Sequence, residues 1–529
     1  MASAWEPLKM PLFRAIWIGS VVSNIGTTMN DTAAVWTMTS TLSASPTMVS
    51  LMQSMSSLPL FLFALPAGAL ADLVNRRKLI ICAQSGALLT AMGMAILTWM
   101  GRMNEALLLL ATFQLGFATA FTTPAWQALV PEIVGKKNLS SAIGLSAVGY
   151  NIARAMGPIL GGVLVAAVGP AAVFALNATS FVAVIFVMSR GNYIAAPRSA
   201  QREQMLGAMV AALRYVRHAP PMQAVLLRVG VHVASAVAPV VLLPLLVRTR
   251  GGTASDFGLM MGCYGAGAIG MAGFVLPNLR SRFAFDQVTR VAAIGSALSA
   301  VGLAFVPGIL PMGAVLILAG ASWIAGMNTF SLASQSAFPN WVRARSSAIY
   351  LVVMQGMNAV GAVTWGQLAD HYNLRLALLV AAGGLLVSMV LSWLKPISHV
   401  ASLDLSPSSH MHGHTLENEP APEDGPILVT IQYEIDPAKA VEFRAAMFRL
   451  REVRLRDGAF RCSLFVDLDN PALYRETFLV GSWAEHLRQH ERATMDDLRI
   501  EEAVRSYHTG AQPPKVKHHL MTNLRESKV

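Results

Sequence analysis

Gly68-Ala-Leu70-Ala71-Asp72-Leu-Val-Asn75-Arg76-Arg77-Lys78 is a polar hairpin set between two long apolar runs, near 48–71 and 79–100. A bilayer core about 30 Å thick requires roughly 20 apolar residues of helix. The hairpin therefore reads as a turn between two membrane spans. Gly68 and Ala71 are small enough for close helix contact, Asp72 ends the first span, and three cations open the second. Positive loops of this kind stay on the cytoplasmic side.

Further runs of similar length continue on both sides of it. They fall near 14–41, 105–127, 139–167, 171–189, 222–247, 256–279, 287–306, 309–332, 346–369 and 375–394. With the two around the hairpin this predicts an all-α polytopic membrane protein of twelve transmembrane helices. Composition agrees: mean hydropathy is +0.51 and only 13% of residues are charged, against about a quarter in soluble domains. Charge is concentrated at the far end. Residues 425–529 carry 16 Lys+Arg and 15 Asp+Glu, whereas residues 1–424 carry 24 and 14. The basic excess thus sits in short loops and does not point to nucleic acid. Cys82, Cys263 and Cys462 are too widely spaced for a disulfide framework or a metal knuckle.

One set of alternating loops holds seventeen Lys and Arg, and the opposite set only Arg102, Arg248, Arg250 and Arg375. This predicts both termini in the cytoplasm. The longest internal connection, 190–221, separates six-helix halves at 1–189 and 222–395. An internal echo supports that division. Gln127-Ala-Leu-Val-Pro131 followed by Ser140-Ser141-Ala142-Ile143 matches Gln335-Ser-Ala-Phe-Pro339 followed by Ser346-Ser347-Ala348-Ile349. Duplicated halves that handle substrate near the midplane are one transporter plan.

The hairpin resembles the signature G-x-L-A-D-R-x-G-R-K/R of the major facilitator superfamily, with Leu73 in place of Arg and Asn75 in place of Gly. The resemblance implies alternating access, with Gly68, Asp72, Arg76 and Arg77 as a gating hairpin that holds the outward-open state. Gly366-Gln-Leu-Ala-Asp370 looks like a copy but ends a span on the opposite face, and it is not expected to be a second gate. Gly157-Pro158-Ile-Leu-Gly161-Gly162 resembles an element typical of drug/proton antiporters in the same superfamily. Proline bends a helix there and glycine permits tight packing. The runs Gly26–Trp36, Leu58–Gly68 and Phe121–Glu132 look like the branch of transmembrane secretion effectors that contains the enterobactin exporter. This implies export of a siderophore, drug or related metabolite through the inner membrane of a bacterium, driven by protons.

Ionisable residues inside a membrane mark function by default. Asp31 lies on a polar stripe with Asn24 and Asn30, and Arg154 lies near Tyr150 and Asn151. This acid and base, on two helices, are candidates to pair, with Asp31 accepting the proton and Arg154 tuning it. A buried pair that only fixes the bundle is the alternative. His232 is also intramembrane, while Arg228 reads as snorkelling to the interface.

Residues 396–426, rich in Pro, Ser, Glu and His, read as a disordered linker. From 427 to 524 the pattern becomes β-α-β-β-α-β, a small α+β ferredoxin-like domain. It resembles the dimeric α+β barrels of antibiotic-biosynthesis monooxygenases, which implies dimerisation through this domain. His486 and His490 share one helix face there, but no third ligand is placed, so neither a catalytic residue nor a metal is expected. No G-x-x-x-x-G-K-[ST] loop is present, and no cofactor is expected. The leading reading is a proton-coupled exporter of a small molecule, not an enzyme. Its alternatives are a facilitator-type importer or uniporter and, more distantly, a membrane-anchored monooxygenase.

Overall fold

In lipid, a backbone segment must satisfy its own N–H and C=O groups, and the apolar runs accordingly become helices. The computed structural model describes residues 5–190, 205–339, 341–398, 400, 403–408 and 419–522. Its helices are α1 (Pro11–Trp36), α2 (Pro46–Leu73), α3 (Arg76–Trp99), α4 (Glu105–Gly135), α5 (Asn138–Val168), α6 (Pro170–Arg190) and α7 (Met205–Arg217), then α8 (Pro220–Thr249), α9 (Ala254–Arg282), α10 (Phe285–Phe305), α11 (Leu310–Ser336), α12 (Arg343–His371) and α13 (Leu374–Leu394). Among the described residues, ten helices are long and apolar enough to cross a membrane: α3 to α6 and α8 to α13. The sequence predicts twelve spans. The other two positions hold α1, of 26 residues, and α2, of 28. Ser, Thr and Asn residues and Asp31 dilute the apolar character of α1.

Polar residues at the helix ends set where each helix begins. Asn75, which stands where the superfamily signature has Gly, caps α3: its side chain accepts from the N–H groups of Arg77 (3.0 Å) and Lys78 (3.3 Å). Asn104 and Asn373 do the same for α4 and α13. Gly135, at φ +68°, turns the chain from α4 into α5 in a backbone region that suits glycine. Elsewhere glycine brings helices together. A Cβ added to Gly320 of α11 would lie 1.9 Å from the Tyr264 carbonyl oxygen of α9, and one on Gly267 of α9 would lie 2.0 Å from that of Ile317.

The chain divides into two compact units. One holds residues 1–200, 226–331 and 350–396; the other holds 201–225, 332–349 and 397–529. In the second unit, β1 (Ile427–Glu434), α14 (Ala440–Asp457), β2 (Arg461–Val466), β3 (Leu473–Val480), α15 (Trp483–Arg492), α16 (Met495–Arg505) and β4 (Lys515–Leu520) build a C-terminal domain. Its four-stranded antiparallel sheet has the order β2-β3-β1-β4. That is the interleaved order of a split β-α-β unit, in agreement with the sequence pattern. Alternation along β1 buries Ile427, Val429, Ile431 and Tyr433 against Phe443, Met447, Leu450 and Phe478.

The linker expected to be disordered is partly ordered. Ser408 N–H donates to the Ala493 carbonyl, Met495 N–H to that of Ser406, and Trp483 N–H to that of Asp424. Backbone hydrogen bonds to the folded domain fix these stretches despite their composition. His410, His412 and His414 of the same linker, and His399, lie outside the described residues.

Gly320→Ala sets a methyl group against the Tyr264 carbonyl. It should cost about 1–3 kcal/mol as overpacking and lower the melting temperature in detergent by several degrees. Gly383→Ala in α13, where nothing lies within 4 Å of the added Cβ, should melt with the parent. Equal melting of both variants would disprove the α9–α11 contact.

Candidate functional site

The helices that carry the candidate polar residues, α1 and α5, run side by side. The Trp17 indole donates to the Leu145 carbonyl (2.9 Å), and the Thr28 hydroxyl reaches the Ala153 carbonyl (3.0 Å). A Cβ on Gly149 would meet Val21, one on Gly157 would meet Thr28, and one on Gly161 would meet Met29. Gly162 faces the other way, onto Ala254 and Gly258 of α9, and Gly258 in turn lies on the Pro158 carbonyl. The Gly157-Pro158-x-x-Gly161-Gly162 element is thus the point where α5 touches both α1 and α9.

That register separates Asp31 from Arg154. Arg154 lies level with Asn24 and Ile25, about 10 Å along the axis from Asp31 at 1.5 Å per residue. Among the described residues no ion pair joins the two. The arrangement brings Arg154 into electrostatic range of Tyr264 on α9 instead. Asp31, Tyr150, Asn151 and Arg154 are exposed and Asn24 is half-buried. Asn30 is buried, with its Oδ1 lacking a hydrogen-bond partner. Neighbours on a helix point 100° apart, so Asn30 does not share the open stripe of Asp31.

A polar seam joins α2 to α12, and sequence reasoning missed it. The Thr47 hydroxyl donates to Asp370 (2.7 Å), the Ser54 hydroxyl to the Ala359 carbonyl (2.9 Å), and a Cβ on Gly366 would meet Ser50 at 2.5 Å. Beside it, Arg248 of α8 donates to the Thr39 carbonyl and the Ser43 hydroxyl. The signal was the near-copy Gly366-Gln-Leu-Ala-Asp370. It is a helix-contact element, here at the end of the bundle opposite the 73–76 turn.

At that turn, Arg76 pairs with Glu132 and Arg77 donates to the Ser189 carbonyl. Gly68 has open space around it. The side chain of Asp72 lies outside the described residues.

Arg228 does not snorkel. It is 1% exposed, pairs with Asp286 of α10, donates to the Thr289 hydroxyl (2.6 Å) and lies 5.7 Å from the Phe330 ring. Asp286 begins a helix just before the apolar run at 287–306, so its burial was not legible from spacing. One turn deeper on α8, His232 is fully buried beside Phe330, and neither ring nitrogen has a hydrogen-bond partner.

In the C-terminal domain, the face shared by His486 and His490 meets a third imidazole. His486 Nε2 lies 3.0 Å from His518 Nε2 of β4, and the His486 and His490 rings are 4.6 Å apart. Among the described residues no group of three or more His, Cys, Asp or Glu could hold a metal. Burial, reinforced by the neighbouring imidazoles, lowers the His486 pKa to about 3.

The family described as transmembrane secretion effectors matches residues 2–526, so the match runs through the C-terminal domain as well as the helices. The enterobactin exporter EntS of Salmonella choleraesuis is 25% identical over 362 residues, covering 68% of this chain and 86% of that protein. YfiS of Bacillus subtilis, an uncharacterised MFS-type transporter, is 24% identical over 223 residues, 40% of this chain and 52% of that protein. A bacterial homologue of the iron transporter ferroportin, solved inward-facing, shares the fold with TM-score 0.59 and 16% identity over 74% of this chain and 99% of its own. A variant of the nucleoside transporter NupG gives TM-score 0.62 and 12% identity over 73% and 100%. These relatives and this fold are those of transporters, not of enzymes.

Two outcomes follow from the buried charges. Asp286→Ala leaves Arg228 buried and unpaired, which should cost about 3–5 kcal/mol, whereas Arg228→Met with Asp286→Leu should recover most of the loss in detergent melting. A single variant as stable as the parent would refute the pair. For His486, the unfolded imidazole takes up a proton below its ordinary pKa and the folded one resists until about pH 3. Folding of the domain is then fully favoured above about pH 6.5 and weakens as pH falls, by at most about 2 kcal/mol between pH 7 and 5. Protection of the β1 and β3 amides in the full chain, taken relative to the intrinsic exchange rate at each pH, should fall accordingly, and His486→Gln should flatten the fall.

Proposed function

Because the chain belongs to the transmembrane secretion effector family of the major facilitator superfamily, we propose that it exports a small molecule across the bacterial inner membrane by proton antiport. The carrying observation is the seam of Thr47, Ser50 and Ser54 against α12. It closes the bundle at the end opposite the basic hairpin, as alternating access requires of an inward-facing state. α1 and α2 complete twelve spans in two six-helix halves, in keeping with the echo of 127–143 in 335–349. Both termini face the cytoplasm, in keeping with the loop charges.

Asp31 is the proton acceptor in this reading. It is the carboxylate of α1, open and without an ion pair among the described residues, two residues after the glycine contact at Met29. A carboxylate in such a place is expensive unless it has work to do. Asn24, Tyr150, Asn151 and Arg154 supply polar groups to the substrate passage. Asp72 and Arg76 hold the opposite, outward-open state. Siderophores head the substrate classes, on the strength of the EntS relatives.

The test is transport in proteoliposomes of known orientation, loaded with enterobactin and given a pH gradient. The parent should move it against the proton flow. Asp31→Asn should lose that movement at least 100-fold, with unchanged insertion and melting. Full transport by Asp31→Asn would end this assignment, and movement with the proton flow would reverse the direction.

A further inference from the structure

The second compact unit contains more than the C-terminal domain. It includes α7 and the connector 337–342, which joins α11 to α12. The domain grips both with two arginines. Arg456, at the end of α14, is held by Asp457 (2.8 Å) and Asp497 (2.7 Å), and its guanidinium lies 5.3 Å from the ring of Tyr215 in α7. Arg492, at the end of α15, is held by Glu485 (2.8 Å) and lies 4.6 Å from the ring of Trp341. In each case the carboxylates occupy the N–H edge of the guanidinium and leave its flat face for the aromatic ring.

The gripped segments also hold each other. The Tyr215 hydroxyl donates to the Ala337 carbonyl (3.2 Å), and its ring meets Trp341 edge-on. Arg214 joins Arg492 on Glu485 (2.8 Å), and His218 faces Glu452 at 2.8 Å. Burial pushes the Glu485 carboxyl up, but the two arginines outweigh it and keep it below the usual range. Tyr215 is 2% exposed. Exposed ion pairs are worth little singly, but cation–π contacts gain strength when they are desolvated, as at the buried Tyr215 ring.

Chain continuity gives this grip its meaning. Tyr215 precedes α8 by five residues, Ala337 follows α11 directly, and Trp341 precedes α12 by two. We propose that the C-terminal domain is a brace for the transport cycle: by clasping α7 and the 337–342 connector through Arg456 and Arg492, it makes the adjoining ends of α8, α11 and α12 move as one body. This gives the domain a mechanical function and needs no chemistry of its own. It rests on the transport reading above.

The experiment uses the full chain in proteoliposomes, with hydrogen exchange read on peptides over 211–219 and 335–342 and with enterobactin transport under a pH gradient. Arg456→Ala combined with Arg492→Ala should raise exchange in both peptides at least tenfold and lower transport at least fivefold, while β1 and β3 stay protected. Arg492→Lys, which keeps a cation over Trp341, should retain most of both. If the double variant fails to insert, Trp341→Ala, which breaks the clasp from the connector side, replaces it with the same expectations. Unchanged exchange, or lost protection with parental transport, overturns the brace. If the parent moves no enterobactin, the transport reading is the one that fails; the exchange data then decide the clasp alone, protection lost supporting it and protection kept overturning it.

Discussion

The membrane unit depends on how close helices can come where lipid offers no hydrophobic reward for association. Packing contact and interhelical hydrogen bonds have to supply the adhesion, and small residues let the backbones come close enough for it. Gly157, Gly161 and Gly162 on α5 provide this on both sides, with α1 against one face and α9 against the other. Gly267 and Gly320 repeat the device between α9 and α11. A methyl group at any of these places would push apart helices whose polar residues must keep their register. That register sets Asp31 one turn beyond Thr28 and aligns Arg154 with Asn24, so the two charges look out at different heights.

Much of this was legible in the residues. Long apolar runs predict helices because a bilayer allows nothing else, and the small residues of 157–162 predict a crossing because only they permit one. The hairpin at 68–78 was legible as a turn, and Asn75 shows why a departure from the superfamily signature can be tolerated: it caps the next helix. The order of strands in the C-terminal domain followed from period-two runs and their spacing.

What escaped depends on contacts between distant parts of the chain. Arg228 near a helix start looks like a snorkelling cation until Asp286, 58 residues on, meets it inside the bundle. Asn30 looks like part of a polar stripe until rotation about α1 turns it inward. Asp370 looks like a misplaced copy until Thr47, 323 residues away, donates to it. Polar residues in the 396–426 stretch look disordered because composition does not reveal backbone partners such as Ala493. In each case the missing information was a partner and not a propensity.

The chemistry of the α2–α12 seam has a thermodynamic consequence. It consists of a hydroxyl on a carboxylate, a hydroxyl on a carbonyl, and a serine against a glycine. The Thr47 and Ser54 hydroxyls exchange their partners for water at little net cost, and the buried Ser50 hydroxyl, which has no hydrogen-bond partner, gains one on wetting, in contrast to the buried guanidinium–carboxylate pair at Arg228. Water therefore competes far more easily for the seam than for the interior pair, so the seam is the weaker of the two links between helices.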